Sequence, residues 1–528
     1  METRLDAGAA GAESGWRLRL LVFVSGAVLM GLEMAGSRVL ATHFGSSIYV
    51  WGSIIGVFLA SLAAGYYAGG VLADRRPRFT LLNALLLAAG CWLLVIPFYA
   101  YWLCRAVRAA DIGERLGPLV STTLLFGGPS VLMGMASPFA VRLAARAVES
   151  VGNVAGRLYA LSTFGSIVGT LVTAFWLIPA LGVSTLLQTL GACLIVLPLI
   201  VLPGRRARVV MAAVLLPAGA GLFVLAAGRP VALRRPQQRV VYEADSPYHY
   251  VLVLDDERRR ARFLQFNNYQ ESGISLDPPY ETRVEYTNSF ELARVFRPGL
   301  KRVLVVGGGG GVGARKLLED DPGLVVDLVE IDPLVAELGF KYFHLERGPR
   351  LKVHVGDGRD FVRASAGGYD LVVLDAFTIG GQIPFHLTTA EFMAEVRRVL
   401  VPGGVLLANL NGSIEGRRSR VVRSVYKTLG SAFGAEPYVF PWLHEEEHTG
   451  ARPFGPLRSR NVILVAVNGP ARWTKEDVER AAAELVSGGV VRTPTFLRDA
   501  GQFMPEPLPT ADVPVLTDDY APVDTMQF

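Results

Sequence analysis

Residues 301–376 read KRVLVVGGGGGVGARKLLEDDPGLVVDLVEIDPLVAELGFKYFHLERGPRLKVHVGDGRDFVRASAGGYDLVVLDA. Four short β-rich runs, VLVV, VVDLVE, LKVHV and DLVVL, alternate with segments of helical period, and a helix expected near 388–400 leads into PGGVLLANL. Such alternation implies a parallel sheet covered by helices, with its ligand at the carboxyl ends of the strands. Each run ends on a glycine loop or an acid: Gly308-x-Gly310-x-x-Gly313, then Glu330, then Asp357 with Gly358, then Asp375. Alone, the glycine pattern fits a dinucleotide site or a tight turn equally. In this order the four elements describe one site.

The residue types suggest what that site holds. Glycines let backbone N–H groups approach a ligand at a helix N-terminus. Glu330, 17 residues beyond Gly313, is placed to accept hydrogen bonds from two ribose hydroxyls. Asp357 can accept from an exocyclic adenine amine, and Asp375 points toward the space of the reacting group. Asp332 is as readily a structural residue as a ligand. Nicotinamide dinucleotides need fewer acids than this, and the Pro402-Gly403-Gly404 turn before a late strand matches the class I S-adenosylmethionine-type fold.

N-terminal to this region, VVYEADSPYHYVLVLDDERRRARFLQFNNYQESG reads as a small antiparallel sheet turning at DDE. Its basic run, Arg258, Arg259, Arg260 and Arg262, is a solvated hairpin or a contact for anionic lipid headgroups. Before it, GRPVALRRPQQRV has the proline, glycine and arginine of an inter-domain exit. The expected organisation is a membrane domain over 1–228, a linker over 229–240, a β-rich lobe over 241–300 and a Rossmann-like catalytic domain over 301–528.

The first 230 residues carry the apolar excess of a chain that is 51% hydrophobic, 19% charged and has a mean hydropathy of +0.36. That composition excludes an ordinary water-soluble enzyme. A bilayer core about 30 Å thick takes roughly 20 helical residues, and seven stretches qualify, near 18–36, 49–71, 80–104, 117–140, 158–181, 183–203 and 208–228. The first reads as a retained span, because residues 1–16 lack a signal-peptide pattern. Gly65 with Gly69 and Gly165 with Gly169 are spaced for close helix approach. Glu33 with Arg38, inside the first span, is a structural pair or part of a substrate path. Seven crossings put 12 arginines on the N-terminal side and 8 on the other, which leaves the C-terminal half outside and opposes the intracellular chemistry expected of it.

The net charge of +5 comes from loop arginines and does not indicate nucleic-acid binding. Cys91, Cys104 and Cys193 all lie in apolar runs, so the polar half has no disulfide framework and no thiolate for a metal, and no metal is expected. His444 and His448 in LHEEEH have a metal-like spacing, but in a charged run they read as an exposed helix face.

With SPYHYVLVLDD, VLVVGGGGG, VEIDP, VGDGRDF and LVVLDAF in that order, residues 240–528 resemble the spermidine synthase (polyamine aminopropyltransferase) family, in particular bacterial members with an N-terminal multi-span domain. The resemblance implies decarboxylated S-adenosylmethionine as donor, putrescine or a similar amine as acceptor, and spermidine and methylthioadenosine as products. It implies Asp375 as the catalytic acid, Glu330 on the ribose, and Asp357 with Gly358 around the adenine. Three departures concern the amine. The acid of the family's GGGDGG motif is Gly310 here, its DSSDP-like run is Asp375-Ala376-Phe377-Thr378-Ile379, and its YQE-like segment is Tyr286-Thr287-Asn288. The scaffold is kept better than the amine pocket.

Aminopropyl transfer needs a pocket that binds a dication, deprotonates one end and holds it in line with a sulfonium. Asp375 can be the base. Further acids could come from Glu281, Glu285 or the pair Asp518 and Asp519 beside Tyr520, with Gln270 and Tyr286 as lesser substrate contacts and His386 near the pocket mouth. A membrane-anchored aminopropyltransferase in the cell membrane, catalytic domain on the cytoplasmic side, is the main reading. An S-adenosylmethionine-dependent methyltransferase, and a transporter or sensor with a nucleoside-binding domain, are the alternatives. The bilayer and a small amine are the expected partners, and a homo-oligomer stays open.

Overall fold

The computed structural model describes residues 2–44, 48–110, 112–113, 115–145, 151–201, 237–246, 248–266, 269–377, 383–443, 447, 454–470 and 472–526. The chain divides into two compact units, Met1–Leu233 and Arg234–Phe528.

The first unit is helical: α1 (Glu2–Phe44), α2 (Ile48–Arg75), α3 (Phe79–Ala109), α4 (Leu116–Ala144), α5 (Val151–Leu177) and α6 (Val183–Val201). Among the described residues five helices, not seven, are long and apolar enough to cross a membrane: Gly15–Ala41 of α1, and α2 to α5. The expected sixth stretch begins at Val183, but its apolar run, Val183–Pro198, is too short. The expected seventh, 208–228, lies outside the described residues, as does most of the expected linker. Both glycine pairs sit where backbones meet. A Cβ at Gly165 or Gly169 would strike the backbone of Phe23 or Ala27 in α1, and one at Gly65 or Gly69 would strike Val131 or Met135 in α4. Large apolar side chains such as Tyr67, Trp102, Phe164 and Trp176 cover the outside of this bundle. Glu33 is partly buried within α1.

The second unit opens with a four-stranded antiparallel sheet, β1 (Gln238–Asp245), β2 (Tyr250–Asp256), β3 (Ala261–Phe266) and β4 (Tyr269–Ser275), paired in sequence order. After β4 the chain turns helical over Glu285–Phe296. In the β2–β3 hairpin Arg260 pairs with Asp277, and Arg262 with Asp255, so much of the basic run is neutralised internally.

Seven strands form the larger sheet: β5 (Arg302–Val306), β6 (Val325–Glu330), β7 (Leu351–Val355), β8 (Tyr369–Leu374), β9 (Leu400–Gly412), β10 (Tyr438–Pro441) and β11 (Arg460–Val467), in the order β10-β11-β9-β8-β5-β6-β7. The five strands from β9 to β7 are parallel, whereas β10 and β11 run antiparallel at one edge. Strand alternation divides the apolar core. Val303 and Val305 of β5 face one layer with Phe290 and Leu317, and Leu304 and Val306 face the other with Phe392 and Val425. From β5 the chain builds outward to β6 and β7, then crosses back to β8. That reversal opens a crevice at the carboxyl ends of β5 and β8, where the Asp375 N–H donates to the Val306 carbonyl at 2.9 Å.

Candidate active site

The glycine loop leaves β5 at Gly307 and enters α7 (Val312–Asp320). Gly307 has φ +86°, and a Cβ there would meet the backbone of Asp375 and Ala376, so only glycine lets the β5 and β8 tips approach this closely. The N–H groups of Gly308 and Gly309 donate to Glu330 Oε2, each at 3.1 Å, and the Asp332 N–H donates to Glu330 Oε1 at 3.0 Å. Burial raises the Glu330 pKa, and these bonds oppose the rise. Asp332 caps α8 (Pro333–Tyr342) by accepting from the Leu334 N–H at 3.0 Å. Gly310 donates its N–H to Ser272 Oγ of β4 at 2.9 Å. Gly313 and Gly358 serve packing, since a Cβ would strike the Phe290 ring at one and Val306 at the other.

Asp357 ends the β7 turn as the cap of α9 (Gly358–Ala364). Its Oδ1 accepts from the N–H groups of Arg359 at 2.8 Å and Asp360 at 3.2 Å, and its Oδ2 lies 3.0 Å from His386 Nε2. Ile331, Val355 and Phe385, 36%, 56% and 52% exposed, leave apolar surface beside these polar groups. An apolar wall with convergent acceptors suits a purine-bearing ligand.

Asp375 lies in the crevice. Asn409 Nδ2 donates to its Oδ1 at 2.8 Å, and the Tyr286 hydroxyl donates to its Oδ2 at 3.1 Å. Asn409, wholly buried on β9, is held by Asn461 of β11, whose Nδ2 donates to its Oδ1 at 3.0 Å. Burial pushes the Asp375 pKa up to about 7 against those two hydrogen bonds. Glu271 of β4 shares the crevice. Burial, followed by the charges of Asp375 and Glu330, pushes it up to about 8. The same surroundings hold the Tyr286 hydroxyl well above the usual phenol range. The crevice therefore offers a half-buried acid able to accept a proton near neutrality, a second acid beside it and a phenol.

Gly308, Gly310, Glu330, Tyr286 and Asp375 are brought together here, with Asp357 and Gly358 along the same row of strand tips. The remaining expected residues lie otherwise. Asp518 is bound by both terminal nitrogens of Arg359, at 2.6 and 2.8 Å, and by the Thr389 hydroxyl at 2.7 Å, and Arg359 holds its pKa low. Asp519, Gln270, Glu281 and Glu285 are exposed. His444 and His448 lie outside the described residues. Glu271, Asn409 and Asn461 were not legible in the sequence. Glu271 follows Gln270, but strand alternation alone gives no reason to aim it at Asp375.

Residues 290–442, which include the glycine loop, Glu330, Asp357, Asp375 and Asn409, match the spermine/spermidine synthase domain family. A polyamine aminopropyltransferase from Vibrio vulnificus is 32% identical over 198 residues, 36% of this chain and 66% of that protein. One from Mycobacterium tuberculosis is 26% identical over 464 residues, 83% of this chain and 85% of that protein. Because residues 234–528 are little more than half of the chain, the mycobacterial match extends into the apolar unit. The crystal structure of a probable spermidine synthase from Corynebacterium glutamicum superposes with a TM-score of 0.41 at 22% identity, covering 53% of this chain and 97% of that one. With its domain match spanning the glycine loop and the acidic strand tips, and curated relatives on both sides of the unit boundary, the chain belongs to the spermine/spermidine synthase family.

Proposed function

We propose that the C-terminal unit is a polyamine aminopropyltransferase, using decarboxylated S-adenosylmethionine as donor and putrescine or a related diamine as acceptor. The observation that carries this reading is Asp375, fixed between Asn409 and Tyr286 at the switch point and titrating near neutrality. In the proposed reaction the free amine nitrogen attacks the aminopropyl carbon bound to sulfur. A C–N bond forms as the C–S bond breaks, and its electron pair stays on sulfur, which leaves as the neutral thioether methylthioadenosine. The ammonium proton passes to the Asp375 carboxylate. Glu330 would hold the ribose, with Asp357 and His386 near the adenine and Ile331 and Val355 as the apolar wall.

Incubating the full chain in detergent or nanodiscs with decarboxylated S-adenosylmethionine and putrescine should release methylthioadenosine. S-adenosylhomocysteine made instead from S-adenosylmethionine would replace this reading with methyl transfer. The apolar helices support an integral cell-membrane anchor with the catalytic unit on the cytoplasmic side, where the donor is made. An even number of crossings would return that unit to the arginine-richer side of the N-terminus. Reporter fusions at the C-terminus should read as intracellular.

A further inference from the structure

Three acids expected of the amine pocket are missing from the sequence, at Gly310, at Asn288 and after Asp375. A Cβ at Gly310 would press against the Phe343 ring and the Ser272 side chain, so the space for an acid on the glycine loop is taken. What fills it belongs to β4, whose Ser272 Oγ accepts the Gly310 N–H. That bond ties β4 to the glycine loop one residue from Glu271.

The β3–β4 pairing then aims Glu271. Leu264 pairs with Ser272 and Gln265 with Gln270, so Glu271 is the extra residue of a β-bulge. A bulge interrupts strict alternation and redirects a side chain, a device common beside active sites. The charges acting on Glu271 are Asp375, from the tip of β8, and Glu330, from the tip of β6, and Glu271 in turn acts on Tyr286. Glu271 has no hydrogen-bond partner among the described residues. Among the described residues no arginine or lysine pairs with it, unlike Glu291, which has Arg294, and Glu447, which has Arg460. A half-buried carboxylate without a counter-ion is poorly solvated in its ionised form. The cation that would stabilise that form is one the described residues do not supply.

We infer that Glu271 is the acceptor-recognition acid of this enzyme, carried on the bulge of β4 in place of the acid absent at Gly310, and that it binds an ammonium group of the diamine. This rests on the aminopropyltransferase reading and adds the residue that selects a dication. Asp375 takes the proton from the attacking nitrogen, and Glu271 lowers the free energy of the bound amine. A bound ammonium group favours the ionised carboxylate, so diamine binding should be accompanied by proton release from the pocket.

The test uses the intact chain in nanodiscs, with E271Q and the charge-preserving E271D, methylthioadenosine release as the rate and calorimetry for the donor. E271Q should raise KM for putrescine at least 10-fold, change kcat less than about threefold and leave donor affinity within twofold. Discrimination between putrescine and n-butylamine should shrink, and E271D should recover part of the KM. Wild-type turnover with an unchanged putrescine KM in E271Q, or with donor affinity and amine KM worsening together, would overturn the Glu271 role and leave the transferase reading standing. No methylthioadenosine from the wild type with any amine would overturn both.

Discussion

The two halves of the crevice are built on opposite principles. On the β6–β7 side, Glu330 and Asp357 are held in place by the protein's own donors: the glycine-loop and Asp332 N–H groups for Glu330, and the α9 N-terminus with His386 for Asp357. On the β8–β4 side, Asp375 has two neutral donors and Glu271 has none among the described residues, and both hold protons to near or above neutrality. The first half is preorganised, so a ligand meets acids already in position. In the second, desolvation keeps the acids protonated to near neutrality, and a bound cation would favour their ionised forms. On the proposed reading, a nucleoside site and a cation site made from the same residue type differ in what surrounds the carboxylate.

The largest expected effect follows from removing the base. D375N should cut turnover by about 10²–10⁴-fold while donor affinity, measured calorimetrically, stays within about threefold. A parallel loss of donor binding would erase the division between the halves. Next comes the donor side. E330Q should weaken donor binding by roughly 10- to 100-fold, the value of a hydrogen bond to a charged group, with the amine KM little changed. A pH profile sharpens the contrast. Asp375 must be ionised to accept a proton, so kcat should fall as pH drops through about 7. In N409A, which lacks a hydrogen bond that lowers this pKa, the acidic limb should move to higher pH. The linked stability effect has the opposite sign. Folded Asp375 keeps its proton above the unfolded value, so its ionisation weighs against the ligand-free fold as pH rises from about 4 to about 7. The smallest effect concerns Gly313. G313A should cost about 1–3 kcal/mol of stability by overpacking against Phe290, read as a lowered unfolding midpoint, with donor affinity kept in the folded fraction.

Much of the donor half was legible beforehand, because its chemistry is written in contiguous motifs. A strand, a glycine turn and an acid at the next strand end are local features, and local features survive translation from sequence to sheet. The amine half was not. Asp518 looked available beside Tyr520, yet Arg359 occupies it from a point 159 residues away. The helix pairs that bury Gly165 and Gly169 were signalled by spacing, whereas of the seven expected crossings five have helices of spanning length among the described residues.

Sequence alone determined that an apolar helical unit precedes a parallel α/β sheet, and that acids stand at successive strand ends, since hydrophobic period and turn chemistry are properties of neighbouring residues. Only the tertiary structure decided which acids share a crevice and which are neutralised. Asp375 depends on Asn409 and Tyr286, 34 and 89 residues distant, and Glu271 depends on one extra residue in a strand pairing. A carboxylate's burial and partners, and hence its proton affinity, come from elements that meet only when the chain folds.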